Sequence, residues 1–219
     1  MAAIVAARGR IRKRIFGGCG AGTCTKSART EAGEANYNRV MFEDWELGEW
    51  KPVSRGALMA WLVAYALFLL YAARDTEGFL AIDQVNLVFH EAGHMFFSWF
   101  GHTIMILGGT LGELLVPMLI AVYFALRRET TGVAFACFWC FENFLYIATY
   151  MADARRMELP LVGVGDTLDH DWNFLFSHWG VLMHDRDIAG VTRGLGWVGM
   201  LGVMAWLVWM HFRASEEAA

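Results

Sequence analysis

Apolar residues in this chain come in long uninterrupted runs, and the runs are spaced by short polar segments. From Ala57 to Ala73 no residue is charged, and a helix of that length just crosses roughly 30 Å of hydrocarbon at about 1.5 Å per residue. Arg55 and Arg74 bracket it. Further runs follow at Phe79 to Phe100, Thr103 to Leu126, Thr131 to Ala152 and Gly194 to Phe212, while Asn173 to Met183 is too short to span and reads as re-entrant or interfacial. The pattern predicts an all-α, polytopic helical membrane protein with about five to six membrane segments. In the third run, Gly108, Gly109, Gly112, Glu113 and Pro117 fall in the first half, which predicts kinked or looped backbone there.

Polar residues inside such runs are costly in lipid and must face protein or water. The second run carries Asp83, Asn86, His90, Glu91 and His94. The fourth carries Glu142, Tyr146, Thr149 and Asp153, which share one helical face at 100° per residue and should look inward. Pro, Gly and Asp mark residues 155–171 as a loop.

Residues 1–50 lack apolar periodicity and read as a poorly ordered basic tail with an interfacial segment; residues 51–219 form the helical membrane domain with the candidate site. Arg8, Arg10, Arg12, Lys13 and Arg14 crowd the beginning, but Gly17, Gly18 and Gly20 follow where a secretory signal would need an apolar core. A net charge of -4 gives no reason to expect nucleic acid as a partner, and 57% hydrophobic residues make the lipid bilayer the expected one. Loop charges leave the orientation open, since Arg127 with Arg128 and Arg155 with Arg156 fall on opposite sides of a five-span topology. Cys19 with Cys24 and Cys137 with Cys140 are too few and too local for a disulfide framework.

The chemistry sits at His90, Glu91, Ala92, Gly93 and His94, an HExxH pattern in a helical segment. Residues i and i+4 lie on one helix face, so both imidazoles reach one tetrahedral Zn²⁺, and Glu91 beside them serves as general base. Catalytic zinc takes three protein ligands. The candidates for the third are His170 and Asp171, one ligating and its neighbour supporting an imidazole N–H, with Asp153 as the alternative. Asp83 and Asn86 share the face of His90, and either orient imidazoles or join helices. Glu113 and Glu142 are intramembrane acids without an assigned role; His102, His178 and His184 read as packed or interfacial.

With the HEAGH helix followed by Gly101, Gly108 and Gly109, the segment from about Leu87 to Gly109 resembles the site-two protease family of intramembrane metalloproteases, in its small bacterial form. The resemblance implies a helical core in the bacterial inner membrane, a buried zinc ion held by His90 and His94, Glu91 as base, and cleavage of membrane-embedded peptides. It also implies that the glycine-rich stretch is a membrane-inserted sheet or loop. The family's second motif, Asn-Pro ahead of Leu-Asp-Gly, is absent from this sequence, and its best counterpart is His170, Asp171 and Trp172. Two other functions fit the composition: a non-proteolytic metal-binding membrane protein that regulates a partner, and a di-iron oxygenase. The second of these needs more histidine pairs at ligand spacing than this chain offers.

Overall fold

The computed structural model describes residues 49–76, 78–160 and 170–217. The described residues all belong to the unit Leu47–Ala219. The basic tail, the Cys19 and Cys24 pair and Asp169 lie outside the described residues. The elements are α1 (Arg55–Arg74), α2 (Asp83–Phe97), a 3-10 turn (Ser98–Phe100), α3 (His102–Leu126), α4 (Thr130–Ala152), α5 (Asp171–His178), a second 3-10 turn (Leu182–His184) and α6 (Asp185–Glu217). No strand occurs among the described residues.

Among the described residues four helical stretches are long and apolar enough to cross a membrane: α1, α3, α4 and Leu182–Glu216. Each turns large apolar side chains outward, such as Met59, Val63 and Leu67 on α1 and Leu115, Met118, Leu119 and Val122 on α3. Repeats of three and four residues make these continuous apolar stripes, which suit hydrocarbon. Four of the expected five to six membrane segments are thus matched by helices of spanning length. The second apolar run holds helix α2, which has 15 residues and covers only about 22 Å. The rest of that run is irregular backbone at Phe79 and Leu80 and the 3-10 turn. Gly101 then reverses the path at φ 96°, a conformation that favours glycine.

The glycine-rich stretch is neither a sheet nor a loop. It is the first half of a continuous α3, with Pro117 inside the helix. The glycines form a packing surface for α2. A Cβ built on Gly93 would stand 2.1 Å from the Gly108 carbonyl oxygen, and one on Gly112 would stand 2.4 Å from that of Phe89. Only backbones without side chains pack this closely, and glycines four apart are a recurrent solution where apolar burial cannot drive association.

Two apolar clusters join the remaining helices. Leu58 and Tyr65 of α1 pack with Phe138 of α4 and with Met200, Val203 and Leu207 of α6, the Tyr65 and Phe138 rings stacking at 4.2 Å. Ile106 of α3, Ile147, Ala148 and Met151 of α4, and Trp172, Leu175 and Phe176 of α5 form the second. The eight-residue α5 is too short to be stable alone, so its position depends on that cluster.

Gly93→Ala is expected to destabilise the protein by about 1–3 kcal/mol, the usual cost of overpacking a tight contact. Gly202, whose Cβ would meet nothing within 4 Å, serves as the control: Gly202→Ala should leave thermal unfolding in detergent, followed by circular dichroism, unchanged or slightly raised.

Candidate metal centre

His90 and His94 fall on the α2 face that meets the glycines of α3. Their rings stand edge to face with centroids 4.7 Å apart. Together with Glu91 they form a group that could hold a metal ion, with one donor atom from each within 4.8 Å of the others. His90 is buried and His94 half-buried.

Asp171, the first residue of α5, reaches the same point. Its Oδ2 lies 2.8 Å from His90 Nε2 and 3.1 Å from His94 Nε2. The opposite ring nitrogen of His94 donates to the Met105 carbonyl at 2.8 Å, which in a neutral ring leaves Nε2 as a lone pair. A lone pair and a carboxylate oxygen cannot hydrogen-bond to each other, so this spacing calls for a cation, either a proton or a metal ion. Burial would raise the Asp171 carboxyl, but its contacts with the two imidazoles outweigh this and hold it below the ordinary carboxylate value.

The space in front of the two nitrogens is kept by Gly109. A Cβ there would lie 2.5 Å from His90 Nε2 and 2.6 Å from His94 Nε2. Two imidazole nitrogens and one carboxylate oxygen around a gap that a methyl group would fill are a donor set suited to a divalent transition metal with an open position.

His170 is turned elsewhere. As N-cap of α5 its Nδ1 accepts the Asn173 N–H at 3.2 Å, and its Nε2 faces Asp153 Oδ2 at 3.3 Å. Burial, opposed by the Asp153 carboxylate, holds this imidazole below its ordinary value. Asp153 in turn accepts the backbone N–H groups of Glu158 and Leu159 at 3.1 and 3.0 Å. Of the three candidates for a third ligand, Asp171 is brought to the imidazoles, while His170 and Asp153 hold each other and the chain around them.

What places Asp171 is the end of α4. The Asp171 N–H donates to the Tyr150 hydroxyl at 3.1 Å, and the Asn173 side chain donates to the Ala154 carbonyl at 2.7 Å. Arg155 grips Asp185 with Nε at 2.8 and 2.9 Å from its two oxygens, which fastens the same turn to the start of α6. Tyr150 also packs against His170, with centroids 4.3 Å apart, and stands 5.9 Å from His90.

Toward its start α2 is held by polar contacts. The Asn86 amide donates to Asp83 Oδ1 and Glu142 Oε2, both at 3.0 Å, and accepts the Trp139 indole N–H at 2.8 Å. Asp83 Oδ2 accepts the Leu80 N–H at 2.6 Å. Asp83 and Asn86 therefore join α2 to α4 and to its own entry turn rather than touching the ring nitrogens. Tyr150, Gly109 and the Met105 carbonyl are the parts of the site that sequence reading missed. Only the four-residue spacing of Gly108 and Gly112 could have signalled the close helix contact.

Replacing Asp171 by Ala is expected to lower bound metal in the purified protein at least about tenfold, as should Gly109→Ala, which obstructs the gap. Asp153→Ala should retain metal while weakening the fold. Plasma mass spectrometry of the three variants, beside thermal unfolding, checks this; metal retained in Asp171→Ala would remove that residue from the centre.

No family model, curated protein or solved structure matches this chain, so the reading of the site rests on its own geometry.

Proposed function

We propose that this chain is a multi-pass, zinc-dependent intramembrane metalloprotease that hydrolyses peptide bonds of membrane-embedded substrates. One observation carries the reading: the Nε2 atoms of His90 and His94 and the Asp171 carboxylate face one another across a gap, with Glu91 on the same helix. A hydrolase needs this combination of three ligands and one unligated carboxylate.

When bound, zinc would polarise the scissile carbonyl and acidify the attacking water. Glu91 takes the proton from that water and returns it to the leaving amine, a role that needs a carboxylate held near but not on the ligands. His90, His94 and Asp171 hold the centre, and the tie from Tyr150 to the Asp171 backbone keeps the carboxylate in place.

The surroundings favour an apolar substrate. Just after His94 in the chain, Met95, Phe96, Trp99 and Phe100 are exposed, with Trp99 90% exposed. These side chains suit contact with lipid or with an apolar helix, and a segment arriving through the bilayer would meet them before the metal centre.

The test is cleavage of single-span peptides reconstituted with the protein in liposomes. Wild type should cut, Glu91→Gln should cut about 10²–10⁴-fold more slowly while keeping its zinc, and chelation should abolish cleavage until zinc is restored. Stoichiometric metal in both proteins without Glu91-dependent cleavage would overturn the protease and favour a metal-binding protein that regulates a partner.

A further inference from the structure

We propose that Glu113 is a positioning residue of the metal centre, whose carboxylate receives the Nδ1–H of His90 and so fixes the tautomer and rotation of that ring. The inference rests on the metal-centre reading above and adds a residue to it.

The two imidazoles face the same requirement. Each must present Nε2 as a lone pair, so each must carry its proton on Nδ1, and a buried N–H needs an acceptor. For His94 the acceptor is the Met105 carbonyl at 2.8 Å. His90 has no such backbone partner: its Nδ1 is buried without a hydrogen bond, and so is Glu113 Oε2. These two unmatched groups belong to side chains that face each other, with Glu113 Oε1 3.6 Å from His90 Nδ1 and side-chain exposures of 1% and 4%. That separation is slightly too long for a hydrogen bond and short enough for a small ring rotation to close. Among the described residues Glu113 Oε2 is buried without a hydrogen-bond partner, and Oε1 is the oxygen that faces His90 Nδ1.

The placement on α3 supports the pairing. Gly109 and Glu113 are one turn apart, so they share the face turned to α2. One helix therefore supplies both the gap in front of Nε2 and the acceptor behind Nδ1 of the same ring. A carboxylate behind a ligating imidazole both orients the ring and raises its basicity toward the metal, and removing such a partner typically weakens metal binding about 10–100-fold. A carboxyl group that only joined α3 to α2 would contribute to stability and leave metal affinity unchanged.

The experiment measures Zn²⁺ affinity by chelator competition, and the visible spectrum of the Co²⁺-loaded form, for the full chain in detergent. Wild type, Glu113→Gln and Glu113→Met are compared, with thermal unfolding of the metal-free proteins recorded beside them. Glu113→Met should bind Zn²⁺ about 10–100-fold more weakly and shift the Co²⁺ bands, and Glu113→Gln, which keeps an acceptor oxygen but loses the charge, should fall between it and wild type. Both variants matching wild type in affinity and spectrum would overturn the proposal while leaving the metal centre standing. Should Glu113→Met fail to fold, Glu113→Gln matching wild type in both readouts does the same. Wild type that binds neither metal overturns the centre and the role of Glu113 together.

Discussion

The contact between α2 and α3 is the constraint on which the site depends. Helices in lipid gain little from burying apolar surface against each other, so their association needs close backbone approach and polar contacts. Gly93, Gly108 and Gly112 provide the approach. With that distance set, the backbone carbonyl of Met105 comes within reach of His94, and Gly109 leaves a gap in front of both imidazoles. Moving α3 outward by the width of a methyl group would separate the His94 ring from its acceptor and change the shape of the gap. Packing and chemistry are therefore set by the same few glycines.

Polar groups complete what close packing begins. Asp83, Asn86, Glu142 and Trp139 form a buried network whose centre, the Asn86 amide, makes two donor bonds and accepts a third. An unsatisfied buried amide costs about 1–3 kcal/mol, so the network fixes both the position and the rotation of α2. Rotation matters because His90 and Asn86 lie one turn apart on the same helix. A turn of α2 about its axis that moved Asn86 off Glu142 would also carry His90 Nε2 away from Asp171.

Much of this could be read from the chain and some could not, for physical reasons. The apolar runs at α1, α3 and α4 predict helices because in hydrocarbon backbone groups must bond within their own segment. The HExxH spacing places His90 and His94 together because helix geometry is local. The bounds of α2 inside the apolar run from Phe79 to Phe100 are not legible, since hydropathy does not separate an apolar helix from an apolar entry turn, and Phe79, Leu80 and Ser98 to Phe100 are not α-helical. The glycine-rich stretch, where the pattern predicts kinked or looped backbone, is helical for a related reason: glycine weakens a helix in water but is favoured where two membrane helices touch. The partners that place the third candidate ligand, Tyr150, Ala154 and Arg155, come from the end of α4 and the turn after it. Nothing in local sequence points to them.

The choice between neighbouring residues His170 and Asp171 turns on the geometry of a helix start. An N-cap residue has extended dihedrals and folds its side chain back to accept an N–H from the first turn; His170 does this with Asn173 at φ -78° and ψ 109°. The next residue is already helical, so its side chain leaves in a different direction. Because α5 is pinned to α4 through Tyr150, Ala154 and Asp153, these directions are fixed relative to α2, and only the second points at the imidazoles. A histidine at the cap is suited to its task because one ring can accept from the helix with Nδ1 and meet the Asp153 carboxylate with Nε2. The aspartate one residue later is suited to the other task, since at the head of α5 its negative charge is favoured by the helix dipole before any cation arrives. The pair divides the work of anchoring the helix and presenting an anion to the two imidazoles, and reversing the order of the two residues would lose both.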